Sequence, residues 1–182
     1  AVGNLGQWAL ALRLLRRARR HFKQQGAVAE AALIDLELAD VQLRAGNWPG
    51  AQRQAARAIR ALTAHGLMGA VARGCLIQAQ GALSTDRWAA AGRWLERAST
   101  ASAQWPGRDL AYQVQHTRGR WLEARHDAAG ALAAYQAALD LIDRWRTELL
   151  EDELGLAFVA DKWVVFEDAV RVAVELNRLD IA

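Results

Sequence analysis

The chain has little of what usually complicates a fold. Its 182 residues include one cysteine, two prolines, one methionine and two lysines. A lone thiol excludes an internal disulfide framework and fits a reducing, cytoplasmic setting. Cys75 stands in Arg73-Gly74-Cys75-Leu76-Ile77, an apolar stretch in which a buried, inert thiol is expected. Only Pro49 and Pro106 could interrupt helices, and both fall where a turn is wanted. A sheet protein needs many more turn signals than this, so the fold class is all-α. No apolar run reaches membrane-spanning length, because an arginine or glutamate interrupts every candidate. The opening Ala1-Val2-Gly3-Asn4 lacks the charged-then-apolar order of a signal peptide and has no initiator methionine. The chain therefore reads as a piece of a longer protein.

Reaction chemistry is equally thin. His21, His65, His116 and His126 are scattered, and no pair has the i, i+4 spacing of a helical metal site. No glycine-rich loop follows a strand. Asp35, Glu37 and Asp40 run along one helix rather than facing each other across a cleft. No catalytic residue, metal or cofactor is expected from these patterns.

Alanine and arginine are plentiful. The chain is 53% hydrophobic and 24% charged, which excludes disorder by composition. Its net charge is only +3, and the basic side is nearly all arginine. The local excess is Arg13, Arg16, Arg17, Arg19 and Arg20. A solvated helix face explains it, with an acidic partner or nucleic acid as the sharper alternative.

One pattern recurs every forty residues. Gly46-Asn47-Trp48 leads to Ala51, Ala55 and Ala58, and Asp86-Arg87-Trp88 leads to Ala91, Leu95 and Ala98. Gln7-Trp8 opens an earlier copy with Ala11, Leu15 and Ala18, and Asp127-Ala128 a later one with Ala131, Tyr135 and Ala138. Such self-similarity is the signature of a stacked repeat. Each copy reads as a helical hairpin whose second helix starts at the tryptophan position. Gly26, Gly66 and Pro106-Gly107 mark the joins, and Asn47, Asp86 and Asp127 are expected to cap the following helices. The resulting frame is a single array over 1–182, with a partial hairpin at 1–25, full hairpins at 26–65, 66–105 and 106–160, and a partial one at 161–182. The small residues should lie where helix backbones cross closely, and the tryptophans should fill the wedge between hairpins. Trp48→Ala and Trp88→Ala are then expected to cost about 3–5 kcal/mol each.

The order Gly46, Trp48, Ala51, Ala55, Ala58, with Leu38-Ala39 before it and Gly119 in the fourth copy, resembles the tetratricopeptide repeat. The likeness covers residues 3–146. It departs in period, forty residues against about 34 in that family. The six extra residues add roughly 9 Å of helix at about 1.5 Å per residue. The resemblance implies a right-handed α-solenoid of antiparallel helix hairpins, of the long-period bacterial type. Phe158-Val159-Ala160-Asp161-Lys162, followed by Phe166-Glu167-Asp168, is similar to the repeats that precede a caspase-like (CHAT) domain in bacterial proteins. If that holds, a peptidase-like domain would follow residue 182.

The tetratricopeptide resemblance implies a function as well. Such arrays bind a peptide or helix on the concave face, lined by the first helix of each hairpin. Carried over by register, that face offers Leu36, Asp40 and Arg44, then Arg73 and Gln80, then His116 and Arg120. The lysine and asparagine of the family's carboxylate clamp are absent, their places held by Leu36 and Asp40, Leu76 and Gln80, and His116 and Arg120. The expected function is a non-catalytic protein-interaction scaffold. The alternatives are a ligand- or peptide-sensing domain controlling an attached effector, and nucleic-acid binding through the first helix. Trp8, Leu12, Leu15 and Phe22 at one end and Val165, Phe166, Val172 and Leu176 at the other should leave apolar surfaces open to self-association.

Overall fold

A computed structural model describes residues 2–104, 108–149 and 162–176. Trp105, the Pro106-Gly107 join, the acidic run Glu151-Asp152-Glu153, Phe158–Asp161 and the closing stretch from Asn177 lie outside the described residues. Among the described residues there are eight helices and no strand. They are α1 (Val2–Gln24), α2 (Val28–Arg44), α3 (Trp48–Ala64), α4 (Met68–Leu83), α5 (Trp88–Ala103), α6 (Arg108–Glu123), α7 (Ala128–Leu149) and α8 (Trp163–Glu175). The chain divides into two compact units, Ala1–Trp105 and Pro106–Ala182.

Local chemistry sets the helix boundaries with unusual regularity. Helices begin at Val28, Trp48, Met68, Trp88, Arg108 and Ala128, so the cadence is twenty residues, half the sequence repeat. The residue two places before the start is left-handed at Gly26, Gly46, Gly66, Asp86 and His126. Each of these closes the preceding helix with the same pair of hydrogen bonds. At the second turn, Gly46 N–H donates to Leu43 O and Asn47 N–H to Gln42 O, at 3.0 and 2.8 Å. Glycine suits this conformation because it has no Cβ to clash. Asp86 and His126 adopt it at φ +53° and +62° and bear the strain. Asn47 and Asp127 cap as expected, accepting from Gly50 N–H at 3.1 Å and Gly130 N–H at 2.9 Å. Asp86 does not cap. It occupies the left-handed position itself, and α5 starts after Arg87 without a side-chain cap.

In the first unit, α1 to α5, consecutive helices pack on one another, and α2 also packs on α4. α3 buries Ala51, Gln54, Ala55, Ala58, Ile59 and Leu62, a single stripe at three- and four-residue spacing. α4 is buried almost all round, from Val71 to Ala82. Cys75 is fully buried there, and burial pushes its thiol up to about 11, which leaves it protonated and inert. Ala51, Ala58, Ala91 and Ala98 have no exposed surface, as expected for close helix crossings. Gly74 serves the same end, since a Cβ there would come 2.7 Å from Ile59 Cγ1.

The second unit comprises α6, α7 and α8. Ala131, Leu132 and Tyr135 of α7 pack with Ala169, Val172 and Ala173 of α8. Tyr112, Ala138, Ile142 and Val165 form a second cluster. The Lys162 ammonium, buried at the head of α8, lies 5.2 Å from the centre of the Trp145 ring and 5.7 Å from that of Tyr112. Two aromatic faces thus stabilise a buried cation.

The tryptophans depart from the expectation of full burial. Trp48 and Trp88 are half-buried. Trp48 leans over its own turn, within van der Waals reach of where a Gly46 Cβ would stand. The part of each ring left in water lowers the hydrophobic gain, so truncation should cost about 2–4 kcal/mol, somewhat below the range for fully buried aromatics. Trp163 is 58% exposed and stacks on Phe166.

Candidate functional site

The residues assigned by register to a binding face fall in both units. In the first unit, Leu36 is only 1% exposed and belongs to the core, so it offers nothing to a ligand. Its carbon chain meets α4, where a Cβ on Gly74 would lie 3.1 Å from Leu36 Cδ2. Asp40 and Arg44 pair along α2, Nε to Oδ2 at 2.9 Å. Arg73 of α4 forks onto Glu37 of α2, its two guanidinium nitrogens 2.5 and 2.9 Å from the carboxylate oxygens. The hydrogen bond from Arg73 is the largest influence on Glu37 and holds its carboxyl below the usual range, although burial opposes it. Gln80 is half-buried on α4. The structure therefore brings α2 and α4 side by side with their charges already matched.

Behind this face lies a polar knot that the sequence reading did not single out. Asp35 is buried on α2 and is held by Arg19 of α1 and the Gln54 amide of α3, while Arg57 donates to Gln54 Oε1. Burying a carboxylate is costly without such partners, and here α1 and α3 supply and support them. A second lock joins α3 and α4. Gln78 Nε2 donates to Gln52 O at 2.7 Å, Gln52 Nε2 donates to Gln78 O at 3.4 Å, and Arg87 donates to Gln52 Oε1.

In the second unit, His116 belongs to a connected network. Its Nε2 lies 2.8 Å from Asp168 Oδ2. Arg171 donates to Asp168 Oδ1 at 2.9 Å and to both carboxylate oxygens of Glu123 at 2.6 and 3.1 Å. Tyr135 Oη donates to Glu123 as well. Burial acts most strongly on His116 and pulls its pKa below 6.5, although the Asp168 hydrogen bond opposes this. Burial alone would raise Asp168 and Glu123. Hydrogen bonds from His116 and Arg171 to Asp168, and from Arg171 and Tyr135 to Glu123, outweigh it, and both carboxyls end below their ordinary values. Burial and the Glu123 hydrogen bond push the Tyr135 hydroxyl upward, so it stays a proton donor. Arg120 is exposed beside this network.

Chemically, the network binds helices to one another. His116 and Asp168 form a dyad joined to Arg171, Glu123 and Tyr135, and Arg171 also reaches Glu175 of its own helix at 3.6 Å. Among the described residues, no group of three or more histidine, cysteine, aspartate or glutamate side chains is placed to hold a metal ion. No helix among them is long and apolar enough to cross a membrane. Comparison with known protein families, curated proteins and solved structures finds no match.

Proposed function

We propose that the chain is a non-catalytic interaction scaffold, a tetratricopeptide-like stack of antiparallel hairpins that presents its first helices to a peptide or a helix. The observation that carries this reading is the Arg73–Glu37 fork, which joins α2 to α4. These are the first helices of consecutive hairpins, and a continuous groove requires such helices to be neighbours. Asp40, Arg44 and Gln80 would be the polar contacts of that face in the first unit; in the second unit Arg120 is the exposed candidate, His116 being held by Asp168. A bacterial setting and a following peptidase-like effector belong to the same proposal and rest on sequence resemblance alone, and the cytoplasmic setting rests on the lone thiol.

The test is a random peptide library displayed on phage and panned against the chain. Enriched sequences should lose binding to Asp40→Lys and Gln80→Lys variants. Failure of any sequence to enrich, or binding indifferent to both substitutions, overturns the assignment.

A further inference from the structure

The modest net charge hides a sharp segregation. Helices α1 and α3 contain no acidic residue and α5 contains only Glu96, whereas α2 carries Glu30, Asp35, Glu37 and Asp40. The basic residues of the second helices are also in register. Arg13, Arg53 and Arg93 stand forty residues apart, and so do Arg17, Arg57 and Arg97. All six are exposed. Within each helix the two arginines are four residues apart, on one face at roughly 6 Å along the axis. A solvated face kept for solubility needs charge, but it has no need of one sign at a fixed register.

Grooves accompany these arginines, and they repeat too. One, of about 340 Å³, opens between α1 and α3 over the start of α2. Another, of about 460 Å³, opens between α3 and α5 over the start of α4. Val28, Ala31 and Ala61 in the first stand at the positions of Met68, Val71 and Ala101 in the second, and Arg57 answers to Arg97. Asp35 at the base of the first groove is already neutralised by Arg19, and Glu96 is the one acid at the second. Each groove thus has an apolar floor and a cationic rim.

We propose that this second-helix face docks an acidic peptide segment that carries spaced aliphatic side chains. Its carboxylates would sit on the guanidinium forks, which match that planar geometry in a bidentate way. Its aliphatic side chains would rest on the two floors and cover the apolar surface that Val28, Ala61 and Met68 leave open, Ala31, Val71 and Ala101 being already buried beneath. A nucleic-acid backbone has no group for these floors, and the residues lining them include no aromatic ring on which a base could stack. The surface is separate from the first-helix face, so either assignment can fail without the other.

The experiment uses fluorescence anisotropy with three probes. These are a Glu-rich peptide with spaced leucines, the same peptide with serine for each leucine, and a duplex DNA of matching net charge. The leucine peptide should bind best, and its affinity should weaken with added salt. The Arg57→Glu/Arg97→Glu and Arg53→Glu/Arg93→Glu variants should each weaken it by about tenfold or more with helix content unchanged by circular dichroism. Asp40→Lys should not weaken it. Equal binding of the serine peptide, indifference to both charge reversals, or tighter binding of the duplex would overturn the proposal.

Discussion

Gly119→Ala probes a close crossing of α6 and α7 in the second unit. A Cβ at residue 119 would come within 2.7 Å of three ring carbons of Tyr135. That ring has no exposed surface and its hydroxyl is fixed on Glu123, so it cannot swing away. Overpacking of a filled core costs about 1–3 kcal/mol. Alanine in a helix interior recovers about 1 kcal/mol over glycine. The net loss should be up to about 2 kcal/mol, read as a lower denaturant midpoint in urea unfolding followed by tryptophan fluorescence. The chain supplies its own control. At the register-equivalent positions, Ala79 is matched with Leu95 and Ala39 with Ala55, so a smaller residue at 135 tolerates a larger one at 119. In a Tyr135→Leu background, Gly119→Ala should therefore change sign and stabilise by up to about 1 kcal/mol. If Gly119→Ala stabilises the otherwise unaltered chain, the crossing is looser than described and the argument fails.

Three further outcomes follow from the geometry. Asp86→Gly and His126→Gly should each raise stability by up to about 1 kcal/mol by relieving a left-handed non-glycine residue, and an unchanged or lower melting temperature would count against this. The lowered pKa of His116 means that its contribution is complete above pH 6.5 and is lost as the pH falls through the folded-state value; the depressed Asp168 and Glu123 lose theirs at still lower pH. His116→Gln should accordingly flatten the stability profile between about pH 7 and 5, and an unaltered slope refutes the link. Val165 and Val172, expected to lie open, are buried in the contact with α7, but the exposed Leu10 and Leu14 on α1, and Val170, Val174 and Leu176 around α8, should drive self-association at high concentration, which Leu14→Glu or Val174→Glu would weaken; light scattering showing a strict monomer refutes it.

Helix positions were legible because periodicity, glycine and caps all report on local backbone. The twenty-residue cadence was half hidden, since Asp86 and His126 hold places where glycine would have announced it. Asp35 looked like one more surface acid beside Glu37. Its register mate is Cys75, an apolar core position, and that comparison would have marked it as buried. The His116–Asp168 pair was out of reach for another reason. The two residues are separated by the long join after α7, where the repeat gives no register. The segment holding Lys162 and Asp168 did stand out in the sequence, and both residues prove to fasten α8 to its unit. The arginine columns emerge only when the copies are aligned by register; along the chain, the cluster on α1 alone stands out.

The even spacing of the turns has a consequence for how such a chain can change. Helices α3, α4 and α5 each start twenty residues after the last, and α2, α3 and α4 end at the same kind of closure. Removing residues 48–87 would join Asn47 directly to Trp88, and Ala91, Leu95 and Ala98 would arrive where Ala51, Ala55 and Ala58 had been. Ala91 and Ala98 would keep two of the small positions, Leu95 would take the place of Ala55, and a cap would still precede a tryptophan. Insertion of the same block would be equally silent at both seams. Length is thus a free parameter of this architecture, adjustable in whole units by recombination, while the chemistry of each exposed face drifts independently of the joints that hold it.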